Sequence, residues 1–390
     1  MSPAPTNSNL KRLTNICLFM VFITFLWLPT MDTFLHFDHS SIPGENRLPA
    51  EFPKIKPGSD GLKKFIVGLE AYFNDHFGFR KGLIRSYRSG IFYLFHDQQG
   101  NRSALIGSDG WLYFNEYQMV EHYRGTLLFT PDQLQDWKTL LEQYRDWFAQ
   151  RGIKFLFVVA PDKQSIYPEY LPSWMNKVSS ETKLDQFFAY MKMHSTVDVL
   201  DLRQTLLENR SMEPLYLKTD SHWNQLGAFF AYQRLVNELA VQLLPGARPM
   251  PLDAFERTNV PAPPGDLTAM AGTDSSESNA ILLNPKASLP PLGIIAQPYQ
   301  TGPLVVTRNP HVEGSAIVYG DSFVNYWVPL LGYNFWQVSY FNNHFLTSKF
   351  IDVELFKHEK PTLVIVEVIE RSFNVAKPKD LLIEGVSKQF

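Results

Sequence analysis

Two short strings, far apart in this chain, together hold a serine, a histidine and an acid: Thr219-Asp220-Ser221-His222-Trp223-Asn224 and Gly320-Asp321-Ser322-Phe323. A serine hydroxyl is a poor nucleophile at neutral pH. It needs a base within hydrogen-bond reach and a carboxylate that holds the base in the right tautomer. In extended backbone alternate side chains share a face, so Asp220 can sit beside His222 while Ser221 points away. The bland alternative is that Asp220 caps the following helix and His222 packs beside Trp223. Ser322 follows the apolar run Ala316-Ile317-Val318-Tyr319, and Gly320 permits a tight turn there. Its hydroxyl then stands at the carboxyl edge of a sheet, with its backbone N–H free to stabilise an oxyanion. The competing reading of Ser322 is a capping serine at a helix start.

The elements that must position these residues alternate between helix and strand. Thr130, Pro131 and Gln133 spell an N-cap, a first-turn proline and a capping box, and Gly152 marks the helix stop. Leu134, Trp137, Leu141, Tyr144 and Phe148 form its apolar stripe. Lys154 to Ala160 is an unbroken apolar run of strand length, as expected for a strand covered on both faces. A helix over about 182–194, a strand at 197–202 and a helix over about 225–244 continue the pattern. Three further strand candidates, 316–319, 335–340 and 363–368, are separated by helix-compatible stretches, which implies right-handed crossovers and a mostly parallel sheet. Residues 245–310 interrupt the alternation and read as a long irregular insertion, of the kind used for lids and binding loops. Polar residues just past strand ends line the crevice of such sheets, so Lys163, after Pro161-Asp162, either faces the site or sits solvated on a helix-capping turn.

Bulk properties exclude little beyond two classes. With 36 basic and 39 acidic residues the formal net charge is −3, which gives no support to a nucleic-acid surface. The single cysteine, Cys17, rules out an intramolecular disulfide and a multi-cysteine metal site. No metal or cofactor is expected. Cys17 lies in the most apolar stretch, Leu13 to Leu28, which follows Lys11 and Arg12 and ends at Pro29. That stretch reads as an uncleaved membrane anchor, with a cleaved signal peptide as the competing reading. Basic residues on its N-terminal side keep that end in the cytoplasm and send the rest across the membrane. The expected organisation is a cytoplasmic N-terminus (1–12), an anchor (13–30), a linker (31–60) and one domain (61–390). Helical periodicity over 61–95 includes Asp75-His76-Phe77-Gly78-Phe79-Arg80, where Asp75 and His76, being adjacent, share no helix face and are read as structural.

Taken together, these strings resemble the alginate O-acetyltransferase proteins of the AlgJ and AlgX type, whose catalytic domains look like permuted SGNH hydrolases. The resemblance is carried by Glu45-Asn46-Arg47, Asp75-His76-Phe77 with Arg80, Gly107 to Phe114, Ala160-Pro161-Asp162-Lys163 through Tyr167 and Leu171-Pro172, Asp220-Ser221-His222-Trp223, Gly265-Asp266-Leu267, Gly320-Asp321-Ser322 and Glu367-Val368-Ile369-Glu370-Arg371. It implies a three-layer α/β/α domain behind a transmembrane anchor. It also implies that Ser322 is the nucleophile, His222 the general base and Asp220 its orienter, with the Asp-x-His string preceding the serine. The glycine and asparagine that complete the oxyanion hole in common SGNH hydrolases have no match. Asn325, Lys163 and Arg371 are the neighbours to test, and Trp223, Tyr326, Trp327 and Trp336 are the aromatics available to stack on sugar rings.

The implied chemistry is acetyl transfer through an acetyl-serine to hydroxyls of an extracytoplasmic polysaccharide, with a multi-spanning membrane acyltransferase as donor. A carbohydrate esterase using the same residues and a non-catalytic polysaccharide-binding assembly protein are the alternatives.

Overall fold

The computed structural model describes residues 8–35, 50–54, 59–79, 83, 103–271, 273, 279–296, 305–342 and 353–382. Two units divide the chain, Met1–Gln98 and Gln99–Phe390. The strings Glu45-Asn46-Arg47 and most of the linker, as well as Arg80 and most of the run 272–278, lie outside the described residues.

In the first unit one helix runs Ser8–Leu35 and a second Ser59–His76. The apolar run ends at Pro29, but the helix that carries it does not. The helix continues through that proline, and an 18-residue window, Arg12–Pro29, is long and apolar enough to cross a membrane. The turn after the second helix packs on the end of the first. The Phe79 N–H donates to Asp32 Oδ2 at 3.0 Å, and a Cβ at Gly78 would lie 2.1 Å from the Pro29 carbonyl oxygen. The Phe77-Gly78-Phe79 turn thus does structural work within its unit.

The second unit holds strands β1 (Ala104–Ile106), β2 (Leu112–Phe114), β3 (Lys154–Ala160), β4 (Val199–Asp201), β5 (Phe255–Val260), β6 (Ala280–Pro285), β7 (Gly293–Ala296), β8 (Val305–Arg308), β9 (Ser315–Gly320), β10 (Gln337–Asn342) and β11 (Leu363–Ile369). Seven of them form one sheet in the order β4-β3-β11-β9-β10-β8-β7. The first five strands in this order are mutually parallel, whereas β8 pairs antiparallel with β10 and β7 antiparallel with β8. The sheet is therefore mostly parallel with an antiparallel edge.

The continuous apolar runs have the cause expected for a sheet covered on both faces. Leu156, Val158 and Ala160 of β3, Val318 of β9 and Ile365 of β11 enter one core with the helix Gln225–Gln242; Phe155, Phe157, Val159, Ile317, Tyr319, Val364 and Val366 enter another with the helices Pro131–Ala149 and Lys183–His194. These are the three layers. Because side chains alternate at period two, a one-residue slip would exchange the two cores.

The described residues of the stretch 245–310 are not irregular. They contain the antiparallel β5–β6 pair and the strands β7 and β8, which extend the main sheet in antiparallel fashion with β7 at its edge. The prolines and glycines of the stretch marked the connections, and short edge strands such as Gly293-Ile294-Ile295-Ala296 leave only a weak alternation signal.

Candidate active site

Three neighbouring strands deliver polar residues to one edge of the sheet. β3 ends before Asp162 and Lys163, β9 before Asp321 and Ser322, and β11, which lies between them, before Glu370 and Arg371. All three are parallel, so their carboxyl ends coincide, where crevices form in open α/β sheets. The Asp220-Ser221-His222 loop is on no strand and is held there from below. Buried Lys163 donates to the carbonyls of Leu217 (3.0 Å), Lys218 (3.0 Å) and Asp220 (2.7 Å). The start of β2 adds a further tie, since the Leu112 N–H donates to the Lys218 carbonyl at 2.8 Å.

The structure brings Asp220, His222 and Ser322 into one hydrogen-bonded line. His222 Nε2 lies 2.5 Å from Ser322 Oγ, and His222 Nδ1 lies 2.6 Å from Asp220 Oδ1. The same Oδ1 accepts the His222 backbone N–H at 2.9 Å. With a carboxylate as acceptor the ring proton sits on Nδ1, which leaves the Nε2 lone pair facing the serine hydroxyl. Burial raises the cost of charge on Asp220, but the hydrogen bond and charge of His222, with the N–H groups of His222 and Asp266, hold its carboxyl below the ordinary range.

Both capping alternatives fail on geometry. The cap of Gln225–Gln242 is Asn224, whose side chain accepts the Gly227 N–H at 2.9 Å, so Asp220 is not spent there. The 3-10 turn Ser322–Trp327 is capped by Asp321, which accepts the Phe323 N–H at 3.0 Å. Ser322 is left to face the histidine. One residue after each string, Trp223 and Phe323 lock the two together: the rings meet edge to face at 5.0 Å, and Trp223 Nε1 donates to the Phe323 carbonyl at 3.2 Å.

The remaining predicted positions separate by burial. Trp223 and Trp327 are both 0% exposed, and Trp327 Nε1 donates to the Ala228 carbonyl at 3.1 Å, so neither ring can stack on a sugar. Their indoles instead bury large apolar area while satisfying their single donor. Trp336 is exposed, but it precedes β10 and so stands at the amino edge of the sheet, a strand length from the site. Lys163 does not face substrate either, because its ammonium is consumed by loop carbonyls. Arg371 is ion-paired to buried Asp162 and stacks over Phe114 (4.5 Å) and Phe323 (5.8 Å), which sets it under the nucleophile turn. Asn325 is exposed, and in a 3-10 helix positions i and i+3 eclipse, which puts it on the side of Ser322. The half-buried ring of Tyr326 lies 6.3 Å from that of His222, with burial pushing its hydroxyl up to about 12.

Residue-by-residue reading missed the function of Asp266, although its Gly265-Asp266-Leu267 string stood out. Asp266 Oδ1 accepts the Ser221 N–H at 2.7 Å, Oδ2 accepts the Ser221 hydroxyl at 2.6 Å, and Oδ2 lies 3.9 Å from His222 Nδ1. Gly265 is required for this approach: a Cβ there would come within 2.4 Å of the Thr219 carbonyl oxygen and 2.5 Å of the Asp220 nitrogen. Buried Glu367 and half-buried Asp321 lie below. Glu367 Oε2 accepts the Asp321 N–H at 3.2 Å, and Asp321 Oδ2 accepts the Ile369 N–H at 2.9 Å. Burial, and then the Asp321 charge, push the Glu367 carboxyl far above its usual range.

Comparison with known proteins agrees with this architecture. Residues 104–290 match the family model described as "SGNH hydrolase-like domain, acetyltransferase AlgX"; this stretch contains Asp220, His222 and Asp266 but ends before Ser322. A probable alginate O-acetylase AlgJ of Pseudomonas aeruginosa is 27% identical over 180 residues, covering 45% of this chain and 42% of the relative. The Pseudomonas putida protein of the same description is 25% identical over 220 residues, covering 56% and 54%. The chain thus matches about half the length of these relatives. Among solved structures, the O-acetyltransferase domain of P. putida AlgJ superposes with a TM-score of 0.50 at 21% identity, covering 70% of this chain and 93% of that one. PatB1 of Bacillus cereus gives 0.52 at 18% identity, covering 72% and 99%. At these identities the structural likeness establishes the SGNH hydrolase-like fold.

Proposed function

We propose, from the premise that this chain is of the AlgJ/AlgX type, that it is an O-acetyltransferase working through an acetyl-serine at Ser322. The observation that carries the reading is the unbroken line Ser322 Oγ, His222 Nε2, His222 Nδ1, Asp220 Oδ1, with contacts of 2.5 and 2.6 Å. In the first step His222 takes the Ser322 proton as the oxygen attacks an acetyl carbonyl, and Asp220 stabilises the imidazolium. The imidazolium then protonates the departing group of the donor. In the second step the same imidazole deprotonates a sugar hydroxyl as it attacks the acetyl carbonyl, and the imidazolium returns that proton to Ser322 Oγ as the serine departs. The Ser322 N–H, at the start of its turn, and the Asn325 side chain are the donors assigned to the oxyanion. Tyr326 is the aromatic assigned to the acceptor sugar.

The acceptor in this reading is an extracytoplasmic polysaccharide, alginate or a similar polymer, in keeping with what the relatives are called. The apolar helix window Arg12–Pro29, flanked by Lys11 and Arg12, supports a single-pass inner-membrane protein with its catalytic domain on the periplasmic side. A multi-spanning membrane acyltransferase is the donor this arrangement calls for.

The test is mass spectrometry of the full chain after incubation with p-nitrophenyl acetate. The peptide containing Ser322 is expected to carry one acetyl group, and Ser322→Ala to carry none and lose turnover. Full activity in Ser322→Ala overturns the proposal. Loss of acetate from acetylated polymer, without transfer between oligosaccharides, would make the protein an esterase instead.

A further inference from the structure

We propose that Asp266 is a second carboxylate of this site, a positioning residue that holds the Asp220-Ser221-His222 loop in register and shares with Asp220 the stabilisation of the His222 imidazolium. The inference deepens the reading of Ser322 as nucleophile, but its physical content is a property of His222 that can be read without any turnover.

The geometry is specific. Gly265 and Asp266 begin the helix Asp266–Ala271, and they touch each of the three loop residues. The Asp266 N–H donates to the Asp220 carboxylate. The Asp266 side chain accepts both donors of Ser221, N–H at 2.7 Å and hydroxyl at 2.6 Å. Its Oδ2 then stands 3.9 Å from His222 Nδ1, on the ring nitrogen that Asp220 already engages. The Gly265 N–H donates to Thr219 Oγ1 at 3.1 Å, and the Leu267 N–H donates to the Thr219 carbonyl at 3.1 Å, which ties the start of the loop to the same helix end.

The charged and titratable groups around the imidazole are few. Asp220 lies on its own loop and Asp266 on the adjoining helix end; Asp321 and Tyr326 lie on the nucleophile turn, and Arg371 acts on Asp266 and Asp321 from beneath. Asp220 directly hydrogen-bonds the ring. Asp266 is close enough for Coulomb attraction but too far for a hydrogen bond, so Asp220 remains the group that holds the ring proton on Nδ1. What Asp266 adds is selective for the charged ring, the state reached once the serine has given up its proton. Its side chain is 28% exposed and that of His222 18%, so solvent screens the pair and the expected effect is modest.

The test separates charge from shape. Full-length protein with 15N-labelled histidine is titrated by NMR, with the His222 signal assigned by its loss in His222→Gln. Asp266→Asn keeps the size of the side chain and can still accept the Ser221 N–H, but carries no charge. It is expected to move the His222 transition to lower pH by about half to one unit, and the acidic limb of kcat/KM for p-nitrophenyl acetate with it. Turnover falls by about three- to tenfold. The Ser221 hydroxyl itself lies 3.4 Å from His222 Nδ1, so the shape control is Thr219→Val, which removes the tie to the Gly265 N–H and leaves both carboxylates; its transition is expected to coincide with wild type. An unmoved transition in Asp266→Asn overturns the inference, as does an equal displacement in both variants, which would mark a loop disturbance rather than a charge. These NMR outcomes stand whether or not Ser322 is the nucleophile, because the acetyl-enzyme experiment decides that separately.

Discussion

Asp220 Oδ1 accepts both the ring and the backbone of His222, so one atom fixes where the imidazole is and which nitrogen carries its proton. Asparagine at this position would keep the volume but could turn its amide N–H toward the ring. That favours the tautomer with the proton on Nε2, where it points at Ser322 and cannot accept the serine proton. Asp220→Asn is therefore expected to lower kcat by about 10³- to 10⁴-fold with little change in KM. Steady-state kinetics with p-nitrophenyl acetate checks this, and a loss of less than about tenfold would mean that Asp220 does not set the tautomer.

At the scale of elements, the loop that carries Asp220 and His222 has no ladder of its own beyond an isolated bridge between Tyr216 and Trp223. Its carbonyls are gathered instead by the ammonium of Lys163, at the end of β3, under the rings of Trp111 (5.6 Å) and Tyr113 (5.4 Å). A buried lysine is costly unless fully engaged, and here three carbonyls engage it. Lys163→Met would keep the packing and strand those acceptors. The expected result is a loss of about 2–4 kcal/mol in chemical denaturation, together with a fall in kcat because the loop is no longer held against the nucleophile turn. A variant with native stability and native kcat would remove Lys163 from this role.

At the scale of the molecule, the edge of the sheet under the site is loaded with buried acids, and the pair formed by Asp321 and Glu367 between β9 and β11 is its sharpest feature. Burial raises both carboxyls, against the N–H groups that Asp321 accepts; for Glu367 the neighbouring charge raises it further. A Cβ on Gly320 would lie 2.7 Å from Glu367 Oε2, so the acid is enclosed by the turn itself. The sign of the pH effect follows from the raised value. Above the ordinary glutamate value of 4.5 the unfolded chain gives up a proton that the folded chain keeps, so folding stability declines as pH rises until the folded pair ionises. The slope is about 1.4 kcal/mol per pH unit for each proton retained. Glu367→Gln mimics the protonated acid, and its denaturation midpoint is expected to change less with pH between about 5 and about 8 than that of wild type. Equal slopes would show that Glu367 ionises normally.

Much of this was legible without coordinates because it depends on local pattern. The apolar runs at 154–160, 316–319 and 363–368 are strands because two helical layers need both faces, and the Thr130–Gln133 capping box forms as spelled, with the Gln133 N–H on Thr130 Oγ1 at 3.3 Å. The residue types of the Asp-x-His and Gly-Asp-Ser strings, and the place of the second after a strand, also belong to the sequence. Distance in space does not. Spacing could not say whether Asp220 was a cap, whether Lys163 faced solvent, whether the tryptophans were platforms or core, or that the stretch 245–310 adds two antiparallel strands. Those depend on which neighbours the sheet order supplies, and parallel strands are joined by long crossovers that leave no local trace in sequence. Only the tertiary structure decided that the imidazole and a hydroxyl 100 residues away meet at 2.5 Å, and that Asp266 ties down the loop carrying the imidazole through the N–H and hydroxyl of Ser221.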